Sequence, residues 1–220
     1  MIADALRQAN STIKDSVQHR NNKQAAKNFK NQIVELSKYT AQLEPLLNII
    51  VAMQEKNITN KAFTSEIKNA LQKAVDNCGE KTNDHTLDVG TVDALKNAIG
   101  LCKKTAETAW KEAAEQMAGE VERSLSSLKS LLSDKNEADE LLSALRSAKV
   151  TIPGSPKVID SFNENVRRGK NLVDGLHLDK EAEIFVNKVK SQHATVADLT
   201  PHIMDWLRDN NLTRQIKVKF

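Results

Sequence analysis

Apolar side chains recur every three or four positions through most of this chain, which is the spacing of one face of an α-helix. Ile2, Leu6, Ala9, Ile13 and Val17 open the pattern, and a polar stretch at residues 19–22 predicts a break after the first helix. Phe29, Ile33, Leu36, Thr40, Leu43, Leu47 and Ile50 then follow at 4-3-4-3-4-3 spacing, a heptad seam held for three repeats. Pro45 lies within that seam and removes one backbone donor, so a kink is expected there within one helix. Residues 46–53 are apolar almost all round, which requires enclosure on most sides or an interface.

A further helix is expected over residues 60–77, with Phe63, Ile67, Leu71, Ala74 and Cys78 on one face and Gly79 as its C-terminal stop. Residues 79–90 are polar and rich in turn formers, and read as an exposed loop. Thr91 stands where a cap would open a long periodic segment that runs through Val92, Leu95, Ile99, Cys102, Trp110, Met117, Val121 and Leu125 to about residue 133. Its seam continues past Gly119, which favours an unbroken helix and an elongated molecule. Leu141, Leu142 and Leu145 mark a shorter helix. The two prolines and the glycine of residues 149–156 end it and mark the best domain boundary. Two helices follow, and then a third in which Thr200 and Pro201 have the form of an N-cap with proline at the first helical position. At the end the period changes to two: Ile216, Val218 and Phe220 alternate with polar residues, a strand signature whose only mate in the chain is residues 150–152.

The fold expected is therefore all-α: an elongated antiparallel bundle or coiled coil over residues 1–148, then a small helical cap over 149–220 with a two-stranded β patch. Composition agrees, since Gly and Pro are few, at 7 and 4 of 220 residues, and no apolar stretch is long enough to span a membrane. Two cysteines, Cys78 and Cys102, are too few for a secreted disulfide framework, and the N-terminus shows no signal peptide. A bacterial, cytoplasmic protein is expected.

The net charge is only +3, but it is unevenly spread. Residues 1–40 are rich in Lys and Arg, whereas residues 111–140 are rich in Asp and Glu, and the simplest expectation is that the two segments neutralise each other. Arg20, Lys23, Lys27 and Lys30 form a stripe at helical spacing that could ride a phosphate backbone, against the plainer reading of a solvated or acid-paired face. Arg167, Arg168 and Lys170 form a smaller cluster of the same kind.

Chemistry is sparse. No phosphate-binding glycine loop, nucleophile elbow or His-Glu-x-x-His pair is present, and Glu-x-x-His does not occur. Cys78, Asp84, His85 and Asp88 are a poor match to a metal set. No catalytic, cofactor or metal residue is therefore assigned. The expected function is a non-catalytic protein-interaction or scaffolding module, a subunit or fragment of a larger assembly. Its candidate contact residues are Leu47, Ile50, Met53, Ile216, Val218 and Phe220, with a protein or a second copy of the chain as partner. The rival is an accessory nucleic-acid-binding component of a DNA-processing or phage-defence complex, acting through Arg20, Lys23, Lys27 and Lys30.

Overall fold

The computed structural model describes residues 2–132, 134–214, 216 and 218, and for residues 2–10 and Ile13 the backbone alone. Among the described residues the chain is all-α: α1 (Ile2–Glu55), α2 (Ser65–Asn83), α3 (Val89–Leu128), α4 (Lys135–Ala148), α5 (Pro156–Asp174), α6 (Lys180–Lys190) and α7 (Pro201–Asp209). Single 3-10 turns follow α3 and precede α7. The chain divides into two compact units, Met1–Ala109 and Trp110–Phe220.

In the first unit, α1 is one helix of 54 residues that passes through both residues 19–22 and Pro45. The expected break does not occur, because those positions are polar but contain no residue that forbids helix. Proline interrupts one hydrogen bond without ending the helix. The buried part of α1 begins at Leu46 and includes Ile49, Ile50, Ala52 and Met53. Ile67, Leu71, Ala74 and Cys78 of α2 and Val92, Leu95, Ile99 and Cys102 of α3 are buried in the same unit.

Gly79 does not stop α2, which continues to Asn83. The terminating left-handed residue is His85 (φ 58°). The Thr86 amide donates to the Lys81 carbonyl at 2.9 Å and the His85 amide to that of Thr82 at 3.2 Å, the paired bonds of a Schellman cap. A non-glycine residue is costly there, and the His85 ring offsets the cost by stacking on Phe29 of α1, with centroids 5.3 Å apart. Most of the expected 79–90 loop is thus helical. Nor does Thr91 cap α3: the Asp88 carboxylate does, accepting from the Thr91 amide at 2.8 Å and its hydroxyl at 3.1 Å.

In the second unit α4 packs against α5, and α6 against α7. The N-cap of α7 follows the sequence reading: Thr200 accepts from the Ile203 amide with Pro201 at the first helical position. Asp134 and Asp179 cap α4 and α6 in the same way. Both tryptophans bridge distant backbone. Trp110 is fully buried, donates from Nε1 to the Ala148 carbonyl at 2.8 Å, and meets Phe162 edge-on with centroids 5.1 Å apart. Trp206 donates to the Leu176 carbonyl at 2.7 Å. Each indole therefore satisfies a carbonyl at or just beyond a helix C-terminus, where intrahelical donors run out.

Gly169 lets α5 approach α3. A β-carbon there would lie 2.6 Å from Cγ1 of Val121 and 3.1 Å from Cδ1 of Leu125, both buried. Gly169→Ala gains about 1 kcal/mol of helix propensity but overpacks a stiff, branched neighbour at about 1–3 kcal/mol. A fall of a few degrees in melting temperature is expected, with recovery in the double variant Gly169→Ala/Val121→Ala; a rise in the single variant contradicts the contact.

Among the described residues there is no strand. Residues 150–152 are turn and coil, and Ile216 and Val218 are half-buried coil. Phe220 lies outside the described residues.

Candidate functional surface

α1 changes character along its length. From residue 11 to residue 28 every described side chain is exposed, including Val17 at 52%, whereas Ile50 and Met53 are 1% and 0% exposed. Between these stretches the seam residues Phe29, Ile33, Leu36, Leu43 and Leu47 are half-buried. Ile50 and Met53, expected above as partner contacts, are core side chains and offer no surface.

Arg20, Lys23 and Lys27 lie in solvent on the exposed part of α1, and Lys30, just beyond it, is exposed as well. Their 3-4-3 spacing keeps them on one side, opposite the seam. Among the described residues no acid pairs with any of the four, whereas Lys38, the next cation along, is bonded to Glu35. Residues 16–34 contain no Asp or Glu, so this one segment carries +4, more than the net +3 of the whole chain.

Several acids of residues 111–140 pair with cations of the second unit. The Lys149 ammonium reaches Glu115 at 2.8 Å and Glu122 at 2.5 Å, and Arg146 reaches Glu122 at 2.9 Å. The hydrogen bond from Lys149 leads in pulling the Glu122 carboxyl below its ordinary pKa, and the bonds that Lys149 donates to Glu115 and Glu122 raise its own. Lys129 pairs with Asp139, and Arg168 of α5 with Glu137 of α4. Arg167 pairs with Glu164 on its own helix. Two of the three cations of the smaller cluster are therefore occupied, whereas among the described residues none of the four in the α1 stripe has an acidic partner.

The residues once grouped as a metal set do other work. The Cys78 thiol donates to the Thr91 carbonyl at 3.6 Å, and burial raises its pKa, as it does for Cys102. His85 stacks on Phe29, and Asp84 is the C-cap of α2. Asp88 caps α3 and binds Lys81 at 2.6 Å. Among the described residues no three of His, Cys, Asp and Glu gather as a metal site would require. The Lys81 hydrogen bond, ahead of those from Thr91, holds the Asp88 carboxyl at about 2, below its ordinary 3.8. A depressed folded pKa adds stability that is present above about pH 4 and lost as pH falls through 2. Helix loss in acid should therefore be less steep between pH 4 and pH 2 in Asp88→Asn than in the parent, as circular dichroism would read; identical titrations contradict this role.

One cleft of about 300 Å³ opens between the end of α4, residues 151–154 and α5. Its polar lining is Ser147, Thr151, Ser161 and Asn165, and no titratable side chain lines it. The cleft can admit a small apolar group but has no acid or base to act on it. No described helix is long and apolar enough to cross a membrane. Comparison with protein-family models, curated proteins and solved structures finds no match for this chain.

The stripe was legible from its spacing. What sequence reasoning missed was its setting: a helix exposed on every side, lying next to a segment of the same helix that enters a core. The change from polar residues to the apolar run at 46–53 was the available signal.

Proposed function

We propose that this chain is a non-catalytic helical interaction module, one component of a larger bacterial assembly in the cytoplasm, and that it engages its partner through the exposed arm of α1, residues 11–28. The observation that carries this reading is the exposure of every described side chain along the arm. A helix polar on all sides gains nothing from a core, and isolated helices of this length are marginal in water. The arm is joined to a segment that is buried, so the unit holds one end of it and presents the other. The free, buried cysteines suit a reducing compartment.

The test is a photo-crosslinking side chain placed at Gln24 of the full chain in its native host, with a second placed at exposed Lys157 of α5. A discrete, abundant adduct from Gln24 and none from Lys157 is expected. Adducts from Lys157 alone would move the working surface elsewhere and overturn the reading.

A further inference from the structure

We propose that the partner of the α1 arm is double-stranded DNA, with the helix lying in the major groove and Arg20, Lys23, Lys27 and Lys30 neutralising the flanking phosphates. This rests on the arm being the working surface and names what it holds.

Charge is the first argument. Residues 16–34 carry four cations and no acid, and among the described residues those cations have no intramolecular acid to satisfy them. The stripe runs from Arg20 to Lys30, ten steps or about 15 Å of helix, so its groups can reach several successive phosphates.

Shape is the second. An α-helix with side chains is about 10–12 Å across, and the major groove of B-form DNA is about 12 Å wide. A helix inside it is contacted on both sides and along its floor. The arm meets that requirement because its described side chains are exposed all round.

The third argument is what lies between the cations. Four amides, Asn21, Asn22, Gln24 and Asn28, lie between Arg20 and Lys30, and all are exposed. Amides both donate and accept, and can bond base edges bidentately at the groove floor. An acidic protein surface would use the cationic side alone and leave this amide girdle idle. A-form RNA has a major groove too narrow for a helix. No Phe, Tyr or Trp lies within residues 11–28 to stack on unpaired bases, which disfavours single strands.

The full-length chain is titrated by fluorescence anisotropy against a labelled DNA duplex of about 25 base pairs, at 50 and 200 mM NaCl. The same is done for Lys23→Gln/Lys27→Gln/Lys30→Gln, whose folding is checked by circular dichroism. With four phosphates neutralised, wild-type affinity should fall roughly 100-fold over that salt range, and with one remaining it should fall roughly 3-fold in the variant. Duplex RNA of the same sequence should bind at least 10-fold more weakly, and poly-glutamate of equal charge should not displace DNA. Absence of binding at 50 mM NaCl overturns the proposal. So does an unchanged salt dependence in a folded triple variant, equal affinity for duplex RNA, or displacement by poly-glutamate. A protein adduct from Gln24 without DNA binding removes DNA and keeps the arm; failure of both removes the arm as well.

Discussion

Ile50→Asp should abolish folding of the first unit, whereas Leu47→Asp, three residues away on the same seam, should leave it folded. Ile50 is 1% exposed and Leu47 is half-buried, so only the first substitution places a carboxylate out of reach of water. Removing a buried Ile side chain costs about 2–5 kcal/mol, and burying an unpaired charge adds several more. Together these are comparable to the roughly 5–15 kcal/mol that holds a typical domain. Circular dichroism and thermal melting decide the matter. A cooperative, near-native melt in Ile50→Asp would show that this part of α1 is not core.

Trp110→Ala should be the most damaging change in the second unit. It empties a site that is fully enclosed, removes the edge-on contact with Phe162, and leaves the Ala148 carbonyl without its donor. Aromatic-to-alanine cavities cost about 3–5 kcal/mol, and a buried acceptor left unbonded costs about 1–3 kcal/mol more. Trp110→Phe separates the two effects, since it retains most of the apolar burial and loses only the hydrogen bond. Urea denaturation should rank the parent above Trp110→Phe and Trp110→Phe well above Trp110→Ala. Equal losses in the two variants would mean that the hydrogen bond, and not the packing, dominates.

These two residues also show what could be read from the sequence. The periodicity that includes Ile50 and Trp110 is local, and so are the caps at Thr200 and Pro201, which is why the helices of the second unit lie close to where the pattern puts them. The partners of Trp110 are not local: Ala148 is 38 residues away, and nothing in the spacing points to it. The end of α2 failed for a related reason. Glycine is the usual left-handed cap, so Gly79 was the natural stop, yet His85 takes that conformation beside the Phe29 ring. Residues 19–22 were read as a break because they are polar, but polarity alone does not end a helix. The cationic stripe was visible because charge and helical spacing are both properties of the sequence. Its freedom from acidic partners was not: Glu115, Glu122, Glu137 and Asp139, among the acids expected to cover it, are paired with Lys149, Arg146, Arg168 and Lys129.

The proposed surface exists only if the α1 arm continues as helix, away from the core that anchors it. Spin labels at Gln24 and Glu55 of the full chain, both exposed, measure this directly by pulsed electron resonance. Thirty-one residues of unbroken helix place them about 46 Å apart at 1.5 Å per residue, and a single narrow distribution near that value is expected. A broad distribution, or one centred below about 35 Å, would mean that α1 folds back on itself and covers the cations on which the function rests.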